Sequence, residues 1–202
     1  MKKIFVYLLV IGAIYTNSIY YDTGQLMYKG ETKFSVPFGQ GELFDTSGEL
    51  LYKGDFHRGK PQGKGSLYVG NKLYYEGNFV NGEPQGTGKF FIGGKTFFSG
   101  ETKDRNINGI GFLYDNGNLF YYGEVENGKA KGQGRIYINN YVYYDGEIND
   151  NKPNGLGTFY NEDGDILYYG QVKNGAPHGF GASFFKGIEV YRGQWENGVE
   201  AR

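Results

Sequence analysis

The chain has 202 residues, among them 36 Gly, 20 Tyr and 16 Phe, and its 21 basic and 22 acidic residues leave a net charge of -1. Charge this balanced, with no run of five or six like charges, excludes electrostatic capture of nucleic acid, and the absence of cysteine excludes disulfides, thiolate metal sites and a Cys nucleophile. Disordered glycine-rich chains lack such an aromatic load, so the composition predicts an all-β chain of short strands joined by tight turns.

At the N-terminus Lys2 and Lys3 precede the apolar run IFVYLLVIGAIY, Ile4 to Tyr15, which Thr16-Asn17-Ser18 follows. That order fits a secretory signal peptide cleaved after Ser18. The run is shorter than the roughly 20 residues that span a bilayer. Read on through Tyr21, residues 4–21 would instead form an uncleaved anchor. The expectation is therefore a short hydrophobic helix over residues 1–18 and a repeat array over 19–202, with the product secreted or periplasmic, or alternatively membrane-anchored.

From Tyr21 onward the chain repeats. An aromatic-x-Gly triplet recurs with its glycine at Gly30, Gly54, Gly77, Gly100, Gly123, Gly146, Gly170 and Gly193, always 23 or 24 residues apart. Positions are numbered below from this key glycine. A Gly-x-Gly pair follows at +9 and +11, from Gly39/Gly41 to Gly179/Gly181, and all five prolines (Pro37, Pro61, Pro84, Pro153, Pro177) occupy +7. Side chains around the key glycine alternate as a strand requires, as in Tyr75, Gly77 and Phe79. Asn81-Gly82, Asn127-Gly128, Asn174-Gly175 and Asn197-Gly198 read as hairpin turns. Each unit is thus a β-hairpin of about 23 residues, marginal alone and stable when stacked. About sixteen strands would make an antiparallel rod on the order of 75 Å long.

Aromatic residues fill -2 (Tyr28, Tyr52, Tyr75, Phe98, Tyr121, Tyr144, Tyr168, Tyr191) and +14 (Phe44, Tyr68, Phe91, Tyr114, Tyr137, Tyr160, Phe184). Glycine weakens a strand unless something covers its bare backbone. Rings from both positions, lying over the glycine rows, are expected to replace a conventional core.

The unit YYEGNFVNGEPQGTGKF, residues 74–90, resembles a MORN (membrane occupation and recognition nexus) repeat: Tyr-x-Gly-x-Trp/Phe, an Asn-Gly turn, then Gly-x-Gly. YRGQWENG, Tyr191 to Gly198, carries the Trp form, whereas Thr32, Thr102, Val125, Ile148 and Val172 replace the aromatic at +2. The resemblance, of a bacterial repeats-only type, implies an elongated, twisted antiparallel sheet used for binding or scaffolding, without catalysis.

The remaining motifs yield little chemistry. Gly93-Gly94-Lys95-Thr96 lacks the leading glycine and following helix of a phosphate loop, since Lys89 stands where glycine is required. Asn161 to Asp165 lacks the spacing and closing Glu of a calcium loop. His57 and His178 fall at different repeat positions and read as solvent-facing. No catalytic residue, cofactor or metal is expected. One row reads as a candidate binding stripe, the +1 residues Glu31, Asp55, Glu101, Glu124 and Glu147, with Asn78, Gln171 and Gln194 in the same slot. The alternative is a solvated face whose carboxylates limit edge aggregation. A protein partner is the first expectation for the array. A membrane lipid or a cell-wall glycan on the aromatic and glycine face is the alternative, and a homodimer through the sheet ends is a further option.

Overall fold

The computed structural model describes residues 14–103 and 106–201, which contain seventeen strands and no helix. In chain order these are β1 (Tyr15–Tyr20), β2 (Leu26–Lys33), β3 (Val36–Phe44), β4 (Leu50–His57), β5 (Lys60–Val69) and β6 (Lys72–Val80). There follow β7 (Glu83–Ile92), β8 (Lys95–Thr102), β9 (Gly109–Asp115), β10 (Asn118–Glu126), β11 (Lys129–Ile138) and β12 (Tyr141–Asn149). The last are β13 (Lys152–Tyr160), β14 (Ile166–Lys173), β15 (Ala176–Phe185), β16 (Ile188–Glu196) and the short β17 (Val199–Ala201). The chain divides into two compact units, Met1–Glu83 and Pro84–Arg202. The first carries β1–β6 and the second β7–β17, each an antiparallel sheet of chain neighbours.

From β2 to β6 and from β7 to β16, glycine faces glycine across each strand pair. In the first unit Gly30, Gly41, Gly54, Gly65 and Gly77 are successive partners. In the second the row runs through Gly88, Gly100, Gly111, Gly123, Gly134, Gly146, Gly157, Gly170, Gly181 and Gly193. The cause is the -2 ring, which lies flat across the bare backbone. A Cβ on Gly54 would stand 2.5 Å from the Gly65 Cα and 2.7 Å from the Tyr52 hydroxyl, so neither an L side chain nor a wider sheet fits. Tyr28, Tyr75, Phe98, Tyr121 and Tyr144 are fully buried, although each belongs to a single sheet layer.

The +2 residue wedges between successive -2 rings. Phe56 meets Tyr28 and Tyr52 edge-on at 5.0 and 5.1 Å, and Phe79 meets Tyr52 at 4.8 Å and Tyr75 at 5.3 Å. Trp195 repeats this between Tyr168 and Tyr191 at 5.1 and 5.5 Å. Val125, Ile148 and Val172 fill the same buried slot without a ring. Where threonine stands there, its hydroxyl is satisfied: Asn17 Nδ2 donates to Thr32 Oγ1 at 2.7 Å, and Thr102 Oγ1 donates to the Gly86 carbonyl at 2.8 Å.

The turns explain the prolines. Turn residue +5 donates its N–H to the carbonyl at +7 of the preceding repeat: Gly59 to Pro37 and Gly82 to Pro61 at 2.9 Å, Gly175 to Pro153 at 2.9 Å, and Gly198 to Pro177 at 2.8 Å. Proline gives up a donor that this position does not use and keeps the acceptor that it does. Asn151, standing where the turn glycine is lost, takes φ 65 itself and donates to the Ala130 carbonyl.

Two expectations are corrected. The +14 rings do not lie over the glycines. The +13 side chain pairs with the -2 ring, as Leu43 does with Tyr28 and Tyr52, so strand alternation turns the +14 ring to the other side. The N-terminal segment is also more array-like than its hydrophobicity indicates. The expected helix over residues 1–13 lies outside the described residues, but from Tyr15 the chain is strand, not helix. β1 pairs with β2, placing Asn17 opposite Gly30 and Ile19 opposite Tyr28, in the slots that +11 and +13 fill elsewhere. The following turn matches the later ones: Gly24 donates to the Tyr21 carbonyl as Gly48 does to that of Asp45. Cleavage after Ser18 would remove most of this half-repeat.

Candidate functional site

Around the key glycine each -2 tyrosine does two things. Its ring covers the glycine pair, and its hydroxyl donates to the carbonyl at +1: Tyr28 to Glu31 at 2.6 Å, Tyr52 to Asp55 at 2.9 Å, Tyr121 to Glu124 at 2.7 Å, Tyr144 to Glu147 at 2.9 Å and Tyr168 to Gln171 at 2.7 Å. The hydroxyl thus satisfies a carbonyl at the point where the ladder is interrupted. Phe98 supplies the ring without the hydroxyl.

That interruption is a bulge in which +1 on the first strand faces +8 to +10 on the second. Gly30 pairs with Gly41, but Thr32 pairs with Pro37. The +1 side chain fills the gap by accepting the N–H of +10. Asp55 Oδ2 accepts from Lys64 at 2.9 Å, Glu124 Oε1 from Gln133 at 3.2 Å, Glu147 Oε1 from Leu156 at 3.1 Å and Glu31 Oε1 from Gln40 at 3.3 Å. Gln171 Oε1 does the same for Phe180 at 2.8 Å, so the slot selects an acceptor and not a charge. Glycine is required beneath it at +9: Gly63 has φ +85, and a Cβ there would stand 2.8 Å from Asp55 Oδ2. Glu101 packs its Cβ against Gly109 in the same way. The candidate stripe Glu31, Asp55, Glu101, Glu124 and Glu147 is therefore held in place by the bulges. This use of the acids follows from the constant interval of nine residues between acceptor and bulge, a signal present in the sequence.

The other motifs resolve into turns and packing. Gly93 and Gly94 form the left-handed β7–β8 turn (φ 58 and 79), and no helix follows. Asn161 Oδ1 accepts the Asp165 N–H at 2.8 Å, closing the β13–β14 turn. His57 is exposed beside the Phe38 ring at 5.6 Å. His178 is half-buried with its Nδ1 enclosed and unpaired, so the solvent-facing expectation fails there because the ring turns into the bulge beside Gln171. Among the described residues no group of three or more His, Cys, Asp or Glu is arranged to hold a metal ion.

The family model described as MORN repeat matches residues 52–71, 75–95, 121–141, 144–166, 168–182 and 191–200, more than half of the chain. The chain belongs to the MORN repeat family. A comparison with curated proteins finds no match. The MORN segments matched include neither the hairpin built on Gly30 nor that on Gly100. Both carry threonine at +2, and their sequences read Phe34-Ser35 and Asp104-Arg105 where the other units have Asn-Gly or similar at +4 and +5. The strands and glycine pairs of the two hairpins nevertheless follow the same register as the rest. As a MORN array the chain is a non-catalytic repeat domain.

Burial, and then the charge of Glu31, pushes the Tyr28 phenol up to about 12, against a backbone hydrogen bond at Phe38. The same order of causes raises Tyr52 beside Asp55, Tyr121 beside Glu124 and Tyr144 beside Glu147 well above the ordinary range, and burial alone raises Tyr168. A phenol raised in the folded state contributes stability that is complete below its unfolded value near 10 and is lost as pH climbs toward the folded value. Stability is therefore expected to be flat into mildly alkaline solution and to fall steeply between about pH 10 and 12. Ultraviolet titration of tyrosinate with circular dichroism on the same samples checks this: one class of tyrosines ionises early, and the ladder class ionises together with loss of the sheet signal.

The acceptor role of the stripe gives a second expectation. Glu147→Gln keeps the oxygen and leaves the melting temperature nearly unchanged, whereas Glu147→Leu strands the Leu156 N–H and costs about 1 kcal/mol. Chemical denaturation of both variants measures the difference.

Proposed function

We propose that this MORN array is an extracytoplasmic scaffold that binds a protein partner through the sheet face opposite the rings. The observation carrying this reading is a division of labour among repeat positions. The -2, 0, +1, +9 and +11 residues are engaged with one another and stay alike from repeat to repeat, and +2 stays buried while its side chain changes. The -1, +10 and +12 side chains point the other way, contribute little to the frame, and change along the chain.

In the first unit this face is a charged row in which Lys29, Glu42, Lys53, Ser66 and Glu76 are successive cross-strand partners, with Lys53 Nζ 3.0 Å from Glu42 Oε1. In the second unit Ile110, Leu156, Tyr169 and Phe180, on the side away from that unit's own rings, expose 53, 46, 49 and 51 % of their surface. Large apolar side chains held out from a rigid frame suit a protein surface better than a small ligand.

The extracytoplasmic half of the proposal rests on Lys2, Lys3 and the apolar run after them. The pairing of β1 favours a junction upstream of Tyr15, whether the leader is cut there or retained as a tether.

Photo-crosslinkers placed at Leu156, Tyr169 and Phe180 in the native host are expected to trap a discrete protein adduct, whereas one at Glu124, filled by its bulge, traps none. Equal labelling at all four sites, or adducts at none, contradicts the reading. Fractionation with N-terminal sequencing of the same sample reports compartment and processing, and recovery from the cytoplasm contradicts the localisation.

A further inference from the structure

The register slip near each inter-hairpin turn leaves one residue unpaired. Leu119 faces Tyr114 and Tyr121 faces Leu113, so Phe120, at -3, has no partner across the ladder. Likewise Phe91 faces Thr96 and Phe90 faces Phe98, which leaves Phe97. A bulge of this kind re-aims its extra side chain. Here it brings Phe97 from β8 and Phe120 from β10 to either side of Tyr114 on β9, at the end of the sheet away from the bulge glycines.

The result is a groove of about 580 Å³ lined by Ile92, these three rings, and Lys95, Thr96, Asp115 and Asn116 at its rim. The rings are half-buried. Whereas the core rings meet edge-on at about 5 Å, none of these three is paired with another ring among the described residues. The frame tolerates non-aromatic residues at -3, which holds Met27, Leu51, Leu167 and Val190 in four repeats and Tyr74, Phe97, Phe120 and Tyr143 in the other four. Tyr143 at -3 packs edge-on against the core ring Phe159 at 5.3 Å, whereas Phe97 and Phe120 are turned to the groove.

We propose that this groove binds a linear, neutral, β-1,4-linked oligosaccharide. Aromatic faces separated by open space stack on the C–H faces of pyranose rings. A rim with an ammonium, a hydroxyl, a carboxylate and an amide supplies donors and acceptors for sugar hydroxyls, without the single sign of charge that an ionic ligand requires. The geometry also repeats. The +14 ring recurs on every second strand as Tyr114, Tyr137 and Tyr160, and two strand spacings make roughly 9.6 Å, close to one disaccharide of an extended β-1,4 chain. A second opening beside Tyr160, with Arg135, Asp145 and Asn161, lies further along the same edge. A chain of several sugars would run across the strands and meet one such ring per disaccharide. The groove lies on the same side of the sheet as the face assigned to a protein partner but at a different level, with its rings at +14 and -3 and the partner face at -1, +10 and +12, so either assignment can fail alone.

The test is calorimetric titration of the full chain with chitohexaose and cellohexaose, with α-linked maltohexaose as the curved control. At least one β-linked hexamer is expected to bind, and its ring protons to show saturation transfer from the protein. Tyr114→Ala and Phe120→Ala should each weaken binding about tenfold or more. Asp115→Ala, an exposed rim change that leaves the sheet untouched, should weaken it about threefold. Circular dichroism melts of each variant separate loss of binding from loss of fold. Failure of both β-linked hexamers to bind at millimolar concentration overturns the proposal, as do equal affinity for maltohexaose and binding that survives Tyr114→Ala and Asp115→Ala.

Discussion

The structure depends on one contact: a tyrosine ring lying across two glycines that face each other on neighbouring strands. A single-layer sheet has no second layer to bury its apolar side chains, and stacked hairpins gain little from backbone bonds that water can also satisfy. Removing the Cβ from both strands at one level allows a phenol to lie against the backbone itself, where its hydroxyl also reaches the +1 carbonyl. Burial that ordinarily needs an opposing layer is obtained within one. The glycine content follows from this contact, since a Cβ at Gly65 or Gly181 would overlap the Tyr52 or Tyr168 ring.

The other regularities are consequences. Once the ring occupies that level, the strand beyond the key glycine has to bulge, and the bulge leaves an N–H at +10 that needs an acceptor. An acid or amide at +1 supplies it, and its place over the glycine at +9 explains the first glycine of each Gly-x-Gly pair. The carboxylates then lie close to the phenols, which adds to the burial that holds Tyr28, Tyr52, Tyr121 and Tyr144 protonated. The proline carbonyls link successive turns along one edge. With these positions committed to the frame, function falls to what remains: the variable outer face and the bulge residue at -3.

The glycine period, the strand alternation and the Asn-Gly turns were legible because each has a local cause visible within one repeat. The tyrosine ladder was legible too, since a ring accounts for the bare backbone at 0 and +11. What stayed hidden depends on register between strands. The +14 rings share the aromatic character of the -2 rings, and the pairing of +13 with -2 across the strands is what assigns +14 to the opposite side. β1 was obscured differently. Asn17 replaces the glycine that marks its slot, and the apolar run before it reads as leader, although Asp22-Thr23-Gly24 repeats the spacing of Thr46-Ser47-Gly48. The stripe of acids looked like a surface for a ligand because carboxylates are usually solvated. Its nine-residue interval to the +10 amide becomes meaningful only when the bulge is known.

The ring-on-glycine contact is tested most directly by a double-mutant cycle on Tyr144 and Gly157. Gly157 suits the measurement because the atoms nearest to an added Cβ all belong to the Tyr144 ring and hydroxyl. If the ring is what excludes a side chain there, Gly157→Ala destabilises the native protein by about 3 kcal/mol or more, and does nearly nothing in a Tyr144→Ala background. Equal cost of Gly157→Ala in both backgrounds would mean that the glycine serves the backbone and not the ring, and would contradict the account.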